Sequence, residues 1–183
     1  MHVDIRTLRS TAQIEGEEDT RLIRGMRTEA ERFLRSFSWC AEIVDSYYGQ
    51  SVSVGGVAAV FLFHIVPAKD DIDEWLWVVV GDLSPAYLVT DDAATPEAAL
   101  EAYIEEMTQW VEAVRSGNSL EDVIPVDAPA DEEHAAMLES RLGFLRRNVL
   151  DGVGPPTPNP GFARQSSGSS QPSRDAPRTV KPH

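Results

Sequence analysis

Cysteine is almost missing from this chain: Cys40 is its one example, so no internal disulfide can form. Histidine is sparse, and none of His2, His64, His134 and His183 stands at zinc-ligand spacing from another. The longest apolar run begins at Val54 and meets His64, well short of the roughly 18 residues that a membrane helix needs. The opening MHVDIRTLRS lacks the apolar core of a secretory leader, so the chain reads as cytoplasmic, with no membrane partner. Also missing are G-x-S-x-G, the P-loop, H-E-x-x-H and G-x-G-x-x-G, which removes the commonest small-enzyme chemistries. No catalytic residue, metal ligand or cofactor is assigned.

Positive charge is the other scarcity. The 183 residues carry a formal charge of −14, and residues 70–133 hold 18 acidic groups against Arg115 alone. Residues 152–183 differ sharply from the rest, with 7 of the 12 prolines, 5 serines and a net charge of +3. That composition predicts a disordered basic tail after a single α+β domain at 1–151, and removing its +3 leaves −17 on the domain.

Within the domain, Leu22, Ile23, Met26, Ala30, Phe33, Leu34 and Phe37 recur at helical spacing and predict an amphipathic helix from about Thr20 to Phe37. Its outer face carries Arg21, Arg24, Arg27, Arg32 and Arg35. A strand is expected from about Trp39 to Tyr48, and two more over Val57 to Val66 and Glu74 to Val80. The latter two are apolar on both alternating faces, as central strands covered on both sides are. Residues 3–8 alternate weakly, the pattern of an edge strand. Ser84-Pro85 ends the third main strand, and a loop is expected up to Thr95. Thr95-Pro96-Glu97 then spells cap, first-turn proline and first-turn acid, and Gly117 is the left-handed stop of that helix. A last helix is expected from about Asp131 to Leu150, with Gly143 admitting a close neighbour. The sum is an α+β fold: an N-terminal amphipathic helix, a three-stranded antiparallel meander, two C-terminal helices and the tail.

Glu97, Glu101 and Glu105 stand four apart, in one row on the second helix, with Asp91 and Asp92 just before it. Such a row is a solvated face, a surface neutralised internally by the five arginines of the first helix, or a docking surface for a basic partner. Its sign disfavours direct binding of nucleic acid. Asp70, Asp71 and Asp73 lack the glycine and terminal glutamate of a calcium loop and read as a charged turn. His64 reads as a buried, hydrogen-bonded core histidine. Cys40 with His64 is the one conceivable nucleophile and base, although Cys40 follows a helix end, where the dipole opposes a thiolate. Asp82, Tyr87 and Trp77 surround the Gly81 corner and outline a small-ligand pocket as an alternative.

The run Trp77-Val78-Val79-Val80-Gly81-Asp82-Leu83-Ser84-Pro85-Ala86-Tyr87, then Thr95-Pro96-Glu97-Ala98-Ala99, resembles an uncharacterised bacterial domain family with the core W-V-x-x-G-D-L-P-x-x-Y followed by P-x-E-A. The likeness spans about residues 74–116 and departs at Ser84, because the proline stands one place later here. It implies a small α+β bacterial domain without a known activity, and carries no catalytic role onto Asp82 or Tyr87. The expected function is a non-enzymatic intracellular binding protein, of inhibitor, immunity or adaptor type, whose acidic surface engages a basic protein. The alternative is a small-molecule or enzymatic domain at the Gly81 to Tyr87 loop. A third reading is a homodimer that covers the two-faced apolar strands.

Overall fold

The computed structural model describes residues 3–11, 18–91 and 93–152. Its frame is one antiparallel sheet of five strands in sequence order: β1 (Arg9–Ser10), β2 (Cys40–Tyr48), β3 (Ala58–Pro67), β4 (Trp75–Gly81) and β5 (Ala86–Val89). The helices are α1 (Glu18–Arg35), α2 (Pro96–Ser116) and α3 (Glu132–Leu145), the last continued by a π-helical turn at Arg146–Leu150. Side chains alternate across a strand, so β3 and β4 feed two cores. Ala59, Phe61, Phe63 and Ile65 with Leu76, Val78 and Val80 meet Ile23, Met26, Ala30 and Leu34 of α1. Ala58, Val60 and Leu62 with Trp77 and Val79 meet Leu100, Tyr103, Met107 and Trp110 of α2 and Leu138, Leu142 and Leu145 of α3. The sheet is therefore the middle layer, with α1 on one side and the α2–α3 pair on the other. This explains the uninterrupted apolar strands: their cover comes from within the chain, so they do not call for a second copy.

Two features of the expected architecture are overturned. The meander has five strands, not three. β5 follows Pro85 directly, in a stretch expected to be loop; a proline just ahead of a strand costs the ladder nothing, since the missing N–H lies outside it. Nor is the amphipathic helix the first element, for β1 precedes it and pairs Arg9 with Tyr48 and Ser10 with Tyr47. The weak alternation at residues 3–8 misplaced that strand. Asp4 instead caps a short 3-10 turn over Ile5–Thr7, accepting the Arg6 N–H at 3.1 Å. The helix once expected to reach Phe37 stops at Arg35, and the last helix stays α-helical only to Leu145. The expected basic tail lies outside the described residues apart from Gly152.

One glycine is forced by the packing. A Cβ on Gly81 would lie 2.1 Å from the Val57 carbonyl oxygen, so β4 can end against the start of β3 only with hydrogen at that position. Asp82 N–H then donates to the same Val57 carbonyl at 3.0 Å. Gly143 needs no open space for another element: a Cβ there would meet the Arg147 guanidinium, one turn on, at 3.1 Å.

Candidate functional site

The termini of α2 form as the local chemistry dictates. Thr95 accepts the Ala98 N–H at 3.2 Å, Pro96 fills the first turn, and Gly117 closes the helix at φ 63°. With Leu100, Tyr103, Met107 and Trp110 turned into the core, Glu97, Glu101, Glu105 and Glu112 fall on the opposite, exposed stripe. Glu97 is anchored by the Ser51 hydroxyl, which donates to its carboxylate. Partial burial pushes the Glu97 carboxyl up, but hydrogen bonds from Ser51, its own amide and Thr95 outweigh that and hold it below the usual range. Glu101 and Glu105 make no ion pair or hydrogen bond among the described residues.

Two arginines stand between Pro96 and Leu145, against 12 acidic residues, and both are already engaged. Arg115 bridges α2 to α3 through Glu139 at 2.9 Å and Glu132 at 3.1 Å. Arg141 of α3 pairs with Asp82. The arginines of α1 cannot take their place, because α1 lies across the sheet. Internal neutralisation of the glutamate row by Arg21, Arg24, Arg27, Arg32 and Arg35 is therefore excluded by topology. Of the other residues expected at this surface, Asp91 is exposed just before the helix, and Asp92 lies outside the described residues.

The residues expected around a pocket do not converge. Trp77 and Tyr87 sit on adjacent strands but project to opposite faces, since Trp77 pairs with Leu88 while Tyr87 pairs with Val78. Trp77 is fully buried beneath α2, its indole N–H donating to the Ala93 carbonyl at 2.7 Å. Tyr87 packs on the α1 side, its ring 5.3 Å from Phe37 and 5.2 Å from Trp39, and burial pushes its phenol up. Asp82 is held by Arg141. A cleft of about 260 Å³ opens elsewhere, between Ile104, Thr108 and Val111 of α2 and Glu139, Leu142 and Gly143 of α3, with Arg146 at its edge.

Cys40 and His64 do not form a nucleophile and base. Cys40 pairs with Pro67 at one end of β2 and joins the α1-side core, whereas His64 pairs with Asp45 and projects to the other face. Burial raises the Cys40 thiol, and Arg35 offsets this only in part. Among the described residues no three His, Cys, Asp or Glu side chains converge as a metal site would require, and no helix is long and apolar enough to cross a membrane.

Two features escaped the sequence reading. His64 is half-buried rather than a core histidine, stacked on Trp75 with ring centroids 4.4 Å apart and planes 4° apart. Parity puts His64 on the same face as the buried Leu62, and it is the end of the helical cover, which no sequence signal marks, that leaves it half-exposed. Glu106, passed over in the sequence reading, is 6% exposed, and its Oε2 has no hydrogen-bond partner among the described residues. Against this geometry, no protein-family model, no curated protein and no solved structure matches the chain.

Proposed function

We propose that the protein is a non-enzymatic intracellular binding module, cytoplasmic in location, whose acidic α2 face docks a basic protein partner. The observation that carries this reading is the segregation of charge: the Glu97, Glu101 and Glu105 row is exposed, Arg115 and Arg141 are spent on Asp82, Glu132 and Glu139, the arginines of α1 are across the sheet, and Arg146 and Arg147 are the other cations on the α3 side. A field predominantly of one sign raises the local concentration of an oppositely charged partner and steers its approach. It also repels nucleic acid. Holding like charges at four-residue spacing costs the helix about 0.2–0.5 kcal/mol per pair, a burden easily borne by a helix whose other face is fully buried.

Affinity capture from a lysate of the source cells tests this, with the full chain compared with the Glu97→Gln, Glu101→Gln, Glu105→Gln triple variant at low and at high salt. The expected result is a basic protein retained by the wild-type chain at low salt, released at high salt and lost with the triple variant. Equal retention by both proteins would contradict the reading.

A further inference from the structure

The helical cover on the α2–α3 side ends before the sheet does. One row across the strands, Tyr47, Leu62, Trp77 and Leu88, belongs to the covered core, with Leu62 and Trp77 fully buried. Residues paired across an antiparallel ladder project to the same side, so the next row outward is Asp45, His64 and Trp75, followed by Glu42 and Val66. There His64 and Trp75 are half-buried, Val66 is 44% exposed, and Val44, at the bulge between Ile43 and Asp45, is 51% exposed. The rings are ordered: His64 stacks on Trp75, and Tyr47 lies 6.3 Å from Trp75. So are the carboxylates. Asp45 accepts the Ser46 N–H at 2.7 Å and the Tyr47 hydroxyl at 2.8 Å, while Glu74 places Oε2 3.9 Å from His64 Nε2. The adjoining turn adds Asp70, Asp71 and Asp73 against the single cation Lys69.

We propose that this sheet end, uncovered among the described residues, docks an arginine-bearing segment of a basic protein partner. The guanidinium takes the carboxylates of Asp45 and Glu74 beside the His64–Trp75 stack, and neighbouring aliphatic carbons cover Val44 and Val66. Charge complementarity selects a basic occupant. The rings and exposed valines select arginine over lysine, because the planar, weakly hydrated guanidinium packs on aromatic groups and hydrogen-bonds carboxylates together. The inference rests on the basic-partner reading above and adds a division of labour. The α2 row has charge but no exposed large apolar residue, so it steers; the sheet end has aromatic and aliphatic area, so it anchors.

The test uses the isotope-labelled full chain and a synthetic peptide, acetyl-Arg-Val-Arg-Val-Arg-amide, followed by amide and indole shifts in NMR, with the glutamate analogue of the peptide as control. The arginine peptide is expected to shift the Trp75 indole and the His64 and Val66 amides. The Asp45→Asn, Val66→Ser double variant is expected to weaken it about tenfold, against about threefold or less for Glu101→Gln with Glu105→Gln. Both substituted positions of the double variant are exposed, and an unchanged amide spectrum elsewhere confirms its fold. Shifts confined to α2 would overturn the sheet-end site while leaving the acidic docking face intact. Equal affinity for wild type and the double variant, or no binding by the arginine peptide, would also overturn it, while the lysate capture decides the broader reading separately.

Discussion

Glu106 is the one charged residue of α2 that the fold takes out of solvent. It belongs by composition to the acidic helix, yet it is 6% exposed and leaves Oε2 without a hydrogen-bond partner among the described residues. Burial, reinforced by the neighbouring Glu105 charge, holds its carboxyl above the usual range. With the folded value raised above the unfolded one, the folded state keeps its proton longer. The penalty is absent below the unfolded value, grows as pH rises through the window up to the raised folded value, and is complete above it. Glu106→Met is therefore expected to raise stability by about 1 kcal/mol at pH 7 and to leave it nearly unchanged at pH 4, as thermal melts at the two pH values would read. A lower midpoint at pH 7 would show that the carboxylate is satisfied. Sequence periodicity could have placed Glu106, since it lies three and four residues from the buried Tyr103 and Trp110, but its charge hid its position. His64 was misjudged the other way. Its apolar neighbours read as core, and only the limit of the helical cover left it half-exposed.

At the scale of elements, legibility followed length and local punctuation. α2 was readable at both ends because Thr95, Pro96 and Gly117 each act through their own backbone chemistry. β3 and β4 were readable as two-faced apolar runs. β1 and β5 were not: strands of two and four residues carry too few alternations to declare a period, and their existence depends on the edges that β2 and β4 offer them. Thr95→Ala removes the hydroxyl that accepts the Ala98 N–H and is expected to cost about 1 kcal/mol in denaturant unfolding with an unchanged slope. A change under a few tenths of a kcal/mol would mean that the buried side of α2, not its cap, fixes where the helix begins. The pairing of α2 with α3 through Arg115 is a different matter. Both glutamates are exposed, and such pairs contribute little to stability, so their main consequence is to remove the one cation of α2 from the acidic field.

For the molecule as a whole, the sequence disclosed the excess of charge but not its placement. The arginines of α1 and the glutamates of α2 could equally have faced each other, and the choice was made by the parity of β3 and β4, which sends α1 to one side of the sheet and α2 with α3 to the other. The candidate pocket failed to assemble for the same reason: Trp77 and Tyr87, close in sequence, ended on opposite faces. The acidic face and the sheet end at His64 and Trp75 share the α2–α3 side, and on the proposed reading a basic partner would find there both a field to follow and an apolar anchor. The most direct measurement is the association rate between the full chain and the basic protein recovered by capture, taken over ionic strengths from about 0.02 to 0.5 M, for wild type and for Glu97→Gln, Glu101→Gln, Glu105→Gln. The account expects a wild-type rate that falls steeply with salt, a variant slower by about threefold to tenfold at the lowest salt, and convergence of the two at the highest. Identical rates and identical salt slopes would contradict it.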